Sequence, residues 1–174
     1  MKKFELTNEF ITNMFGTKLF RIRALVEFGD VEAGELGGYV EKESNLGHDD
    51  NAWVYDNAWV YGDAQVSGDA LVYDNARVYG NARVYGDARV CGNGDYAYAH
   101  GFGSVNRTTT FFRLKDGGVG VRCGCFYGTL AQFRDKIRET HGESAIAEEY
   151  LDLAALMEKR FRRTGNEQKT EEES

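Results

Sequence analysis

Seven hexads run without a break from Asn51 to Gly92: NAWVYD, NAWVYG, DAQVSG, DALVYD, NARVYG, NARVYG and DARVCG. Each has Ala at its second position and Val at its fourth. A period this short cannot bury a core of its own, so each unit must stack on copies of itself, and the chain must form a solenoid. In an extended segment, successive side chains point to opposite faces. Val54 therefore points inward, and its neighbours Trp53 and Tyr55 point outward. Gly or Asp, then Asn or Asp, follow the strand and turn the chain, and the small Ala fits the tight inner corner.

Three hexads would close a triangular prism, so that residues 18 apart stack. The Asp-Asn corners at Asp56-Asn57 and Asp74-Asn75 obey that spacing. Asn57, Asn75 and Asn93 would form a column able to make a hydrogen-bonded ladder. Tyr96 and Phe102 extend the inward register after Val90, and Val40 and Leu46 extend it upstream. Leu46 to Val54 is eight residues, so two extra residues bulge near Gly47 to Asp50. Degenerate hexads bring the total to roughly four coils, about 20 Å tall at the usual strand spacing. The open ends of such a stack expose unpaired backbone and require caps.

The Val-x-x-x-Ala spacing over residues 37–104 resembles the hexapeptide repeat of left-handed β-helix proteins. That resemblance implies the left hand and the triangular section. The wording Tyr-Gly-[Asp/Asn]-Ala-Arg-Val, with LFRIRAL…GDVEAGELGGYVE before it and CGCFYGTLAQF…ETHG after it, resembles a group of short phage and bacterial proteins. Members of that group are called transferases on the repeat alone.

The flanks read differently. Residues 1–36 form an N-terminal cap, with a strand at Lys18 to Leu25 that puts Phe20, Ile22 and Ala24 on one face. Residues 105–163 hold a hairpin (Thr108 to Leu114 and Val119 to Cys123) and two helices. Thr129 and Gln132 make a capping box for the first helix, whose stripe is Leu130, Phe133 and Ile137. The second begins near Ser144 and carries Ile146, Tyr150, Leu153, Met157 and Phe161. Residues 164–174 read as a disordered acidic tail.

A net charge of −7 argues against a nucleic-acid backbone binder. The absence of a long apolar run argues against a membrane span or signal peptide. Three cysteines suit a reducing compartment, so the expected location is cytoplasmic, the host cytoplasm if the chain is phage-encoded.

The outward residues Trp53, Tyr55, Trp59, Tyr61, Tyr73, Arg77, Tyr79 and Tyr85 form the candidate binding surface. Tyr55 would lie near Tyr73, Tyr61 near Tyr79, and Arg77 over Trp59 as a cation–π pair. An aromatic surface of this extent marks a contact, with a foreign protein, with the terminal helices or within a homotrimer. The hexapeptide resemblance implies the alternative of acyl transfer, with coenzyme A as cofactor and a His as general base; His100 is the candidate. Otherwise no cofactor and no metal are expected. Weaker patterns are Cys123 and Cys125 with His141 for zinc, Asp56 with Asp74 for calcium, the basic run Lys159 to Arg163, and Gly101-Phe102-Gly103. The reading favoured is a non-catalytic protein-binding or scaffold protein that modulates a host protein, including one of a defence system.

Overall fold

The computed structural model describes residues 1–172. The chain opens with β1 (Phe4–Thr12), β2 (Lys18–Ala24) and β3 (Leu36–Val40). A short 3-10 turn at Glu43–Asn45 leads into seven two-residue strands: β4 (Trp53–Val54), β5 (Trp59–Val60), β6 (Gln65–Val66), β7 (Leu71–Val72), β8 (Arg77–Val78), β9 (Arg83–Val84) and β10 (Arg89–Val90). Then come β11 (Tyr96–Phe102), β12 (Arg107–Arg113), β13 (Val119–Cys123), β14 (Phe126–Thr129), α1 (Leu130–His141) and α2 (Ala145–Glu172).

The short strands pair in parallel with a period of 18. Val54 stands over Val72 and Val72 over Val90; Val60 stands over Val78, and Val66 over Val84. Every valine and alanine of the seven hexads is 0% exposed. The corners are left-handed at Asp56 (φ 50°) and Asp74 (φ 56°), and at the glycines between. The two extra residues upstream stretch the spacing to 20, pairing Val40 with Val60 and Leu46 with Val66. Asn45, fully buried there, donates to the carbonyls of Gly62 (3.1 Å) and Ala64 (2.8 Å).

The parallel ladders are three rungs deep, not four, and they end at Val90 rather than running to residue 104. Tyr96 and Phe102 keep the six-residue spacing, but they belong to a seven-residue strand that pairs antiparallel with β12. A strand of that length overruns the short face of a coil. Phe102 packs with the second core instead.

At the first coil, β1, β2 and β3 run antiparallel to one another and β3 joins β5 in parallel, giving one five-stranded sheet. β1 was not apparent from the sequence because a bulge between Leu6 and Phe10 breaks its alternation. Lys3 closes the open end: its Nζ donates to the carbonyls of Asp50 (3.2 Å) and Ala52 (2.8 Å).

At the last coil, β11 to β14 form an antiparallel meander with the solenoid on one side and the helices on the other. Phe112 enters the solenoid core, and its neighbour Phe111 packs with Phe133, Tyr150, Met157 and Phe161. Thr129 and Gln132 make the capping box of α1. The expected tail at 164–174 is corrected: α2 continues through Glu172. Thr164 is buried and its hydroxyl accepts from Arg113, and Arg163 pairs with Glu167 one turn on, so this stretch is held where its polar composition alone suggested no partner. Residues 173 and 174 lie outside the described residues.

Candidate binding surface

In each hexad strand the residue before the valine points away from the interior of the coil. Register aligns these residues into columns. On the five-stranded sheet the column runs Tyr39, Trp59, Arg77, with Arg21 of β2 opposite Tyr39. The Arg77 guanidinium sits 4.1 Å from the Trp59 ring centre, and that of Arg21 lies 5.2 Å from the Tyr39 ring centre. Arg21 also donates to the Tyr39 hydroxyl (2.9 Å), which donates to Glu9 (3.1 Å); Arg21 and Glu9 are 3.7 Å apart. Five strands thus contribute one continuous row, Glu9–Arg21–Tyr39–Trp59–Arg77, in which Tyr39 is 7% exposed and Arg77 is exposed. Cation–π contacts on a surface contribute about 0.5–1 kcal/mol each, so the row is ordered without being locked.

The adjacent corner adds a second aromatic set. Tyr61 and Tyr79 stack at 5.3 Å, 16° from parallel, and Tyr79 is 44% exposed. Tyr96 donates its hydroxyl to the Arg77 carbonyl at 2.5 Å. Burial pushes the phenol of Tyr61 upward, and that of Tyr96 further still. Both keep their protons at neutral pH.

The other candidates separate from this group. Trp53 is corrected: it is 0% exposed, because Phe4 (6.3 Å) and Phe28 (5.3 Å) of the N-terminal flank pack edge-on against its ring. Tyr55 is half-buried against the solenoid core. Tyr73 lines a groove of about 640 Å³ with Arg89, Cys91 and Asp95 on another face. Tyr85 lies under Arg122 (4.6 Å) and edge-on to Tyr127 (5.0 Å) of the C-terminal sheet. Trp59, Arg77, Tyr61 and Tyr79 therefore form one surface. Sequence reasoning missed its other members, Glu9, Arg21 and Tyr39. The available signal was Tyr39 itself, placed in GGYV one residue before the inward Val40.

The three histidines lie on separate elements. His100 is exposed on β11, its Nδ1 2.8 Å from the Thr108 hydroxyl across the strand pair. His48 stacks on Phe4 at 4.4 Å and accepts from the Lys3 amide, and His141 lies 6.0 Å from the Tyr150 ring. Cys123 and Cys125 do not share a strand face, because β13 ends at Cys123 and Gly124 turns the chain at φ 59°. Among the described residues, no group of three His, Cys, Asp or Glu side chains is arranged to hold a metal ion. Asp56 and Asp74 are exposed corner residues. Asn57 and Asn75 are exposed as well, while Asn93 accepts from the Arg77 amide at 2.9 Å. In the basic run, Arg160 donates to the carbonyls of Asn93, Gly94 and Tyr96 and ties α2 to the last coil.

Residues 64–78 and 76–92 match the family model of the YdcK beta solenoid repeat. The chain carries a β-solenoid repeat. The matched span coincides with strands β6 to β10, part of the stretch β4 to β10 in which the register is 18 residues. No curated protein matches the chain significantly. Among the described residues no helix is long and apolar enough to cross a membrane.

Proposed function

We propose that this β-solenoid repeat protein is a non-catalytic protein-binding scaffold, and that the row Glu9–Arg21–Tyr39–Trp59–Arg77, with Tyr61 and Tyr79, is its contact surface. The observation that carries this reading is the row itself. Five strands from two parts of the chain align aromatic and guanidinium groups on one sheet face, and Arg, Tyr and Trp are the residues that dominate binding energy at protein interfaces. The coils wind left-handed in this proposal, as hexapeptide repeats imply, and the partner is a host protein in the cytoplasm.

The test is a binding comparison. Immobilised wild-type protein is challenged with bacterial lysate beside Trp59→Ala/Arg77→Ala and, as a control on another face, Gln65→Ala. The proposal expects a partner retained by wild type and Gln65→Ala and lost by the double variant. Recovery of the bait alone, or equal recovery by all three, overturns it. Calorimetry with acetyl-coenzyme A covers the alternative. Saturable binding lost in His100→Ala would replace the scaffold reading with acyl transfer.

A further inference from the structure

The largest exposed apolar side chains lie at one end of the molecule. The turn between β1 and β2 presents Met14, 89% exposed, and Phe15, 80% exposed, with Phe10 behind them at 46%. This tip is not loose. The Asn13 side chain accepts from the amides of Phe15 and Thr17, both at 3.0 Å, and its backbone exchanges further bonds with Gly16 and Thr17. Lys18 places its ammonium 4.5 Å from the centre of the Phe10 ring. The result is a convex, preorganised apolar wedge with a cation at its shoulder. Preorganisation lowers the entropy lost on docking, and exposed apolar side chains held together in this way mark a contact.

The opposite end of the molecule holds a recess with the complementary properties. A cavity of about 690 Å³ opens between the last coil and the C-terminal sheet. Leu114 and Tyr127 supply apolar wall, and the lining is net acidic, with the carboxylates of Asp87 and Asp116 against the single ammonium of Lys115, beside Gln132. That volume lies in the range that accepts a drug-sized ligand, enough for a pair of side chains. Asp87 belongs to the corner before β10, at the last coil, whereas the wedge caps the first. The wedge therefore cannot fill the recess of its own molecule without unfolding the solenoid between them.

We infer that a second copy of this chain is the occupant: the Met14–Phe15 wedge of one molecule seats in the Asp87–Tyr127 recess of the next, with Lys18 facing the acidic lining. The contact uses different patches on the two molecules. Such a head-to-tail interface closes into a ring if the rotation allows and otherwise grows as an open chain. The solenoid then acts as a rod that extends end to end, and the proposed contact row on its side is repeated along the assembly. This inference is independent of that row, because it uses neither its residues nor its face.

Sedimentation equilibrium of the full chain, from micromolar to near-millimolar concentration, tests it. Wild type should show mass rising with concentration beyond the monomer, and more weakly at high salt, because the Lys18 contribution is screened. Phe15→Ser should raise the dissociation constant at least tenfold with an unchanged thermal midpoint, since the side chain is exposed in the monomer. Lys18→Glu should weaken association, and Lys18→Glu/Asp87→Lys should recover it. A wild type that stays monomeric across the range overturns the inference. So does association that survives Phe15→Ser, or a charge-swapped pair no better than Lys18→Glu alone.

Discussion

A Cβ atom on Gly80 would lie 2.0 Å from the hydroxyl of Tyr98. Gly86 stands in the same relation to Tyr127 (2.1 Å), and Gly103 to Tyr150 (1.8 Å). Two solenoid corners and one turn of the C-terminal sheet are thus each covered by a tyrosine that needs the space of a missing side chain. This explains an asymmetry in the repeat. Asp56, Asp74 and Gly92 share the third corner column, and a Cβ on Gly92 would meet nothing within 4 Å. The third column admits Asp in a left-handed conformation; in the two glycine columns a ring crosses Gly80 and Gly86, and at Gly62 and Gly68 the stacked backbone of Gly80 and Gly86 lies 3.3 and 2.8 Å from the position of a Cβ.

Gly80→Ala should therefore destabilise the protein by about 1–2 kcal/mol from backbone strain alone, and by more as Tyr98 is displaced. Gly92→Ala should stay within about 0.5 kcal/mol of wild type. Urea denaturation midpoints of the two variants provide the comparison, and equal losses would refute the packing account.

The solenoid and the C-terminal module are joined through Asp95. Its carboxylate is 1% exposed, accepts from the amides of Cys91 (3.0 Å) and Gly92 (3.2 Å) and from the Cys91 thiol, and lies 3.6 Å from Arg113. Arg113 in turn donates to Phe161 and Thr164 of α2. Asp95→Ala leaves these donors without their acceptor and a largely buried guanidinium without its counter-charge. It should cost about 3–5 kcal/mol, read as a lowered denaturant midpoint. A loss below about 1 kcal/mol would show that the junction is held elsewhere.

Lys3 gives the stability a pH dependence at alkaline pH. Burial lowers its ammonium pKa from 10.5 to about 8, against the opposing pull of Asp50, Asp49 and Asp69. Below pH 8 both folded and unfolded chains hold the proton, and folding bears the full cost of burying the charge. Between about 8 and 10.5 the unfolded chain binds a proton that the folded one has released, so stability from this group rises with pH. The difference in unfolding free energy between wild type and Lys3→Met should shift in favour of wild type from pH 7 to pH 9.5. A constant difference would show that the ammonium stays charged.

The cysteines should react in a fixed order. Burial and the Asp95 hydrogen bond push the Cys91 thiol up to about 12, and only the thiolate is a nucleophile. Cys123 is buried, while Cys125 is exposed. At pH 8 a disulfide reagent should modify Cys125 first and the other two only after denaturation. Rapid labelling of Cys91 in the native protein would contradict the burial of that thiol.

The repeat was legible because period, corner chemistry and inward valines all depend on local sequence alone. What covers a face does not. Trp53 and Trp59 occupy the same hexad position, yet one is sealed beneath Phe4 and Phe28 and the other is not, because the N-terminal flank packs over a single face. Tyr96 and Phe102 kept the spacing of the repeat but not its pairing, since the length of a strand is decided by its partner. The row from Glu9 to Arg77 was hidden for the same reason. Glu9 and Arg21 join it only through antiparallel pairing, which carries no signature in sequence separation.

The 18-residue register has a consequence for the whole molecule. Each coil is one turn of a screw, so one coil added or removed moves the two ends by about 4.8 Å and leaves them in the same angular phase. A single hexad added or removed would instead rotate one end by a third of a turn. Removal of the hexad 87–92, for example, would bring Tyr98 over Asp74 in place of Gly80. Within the strict ladders, the two ends stay in phase only when length changes by whole turns.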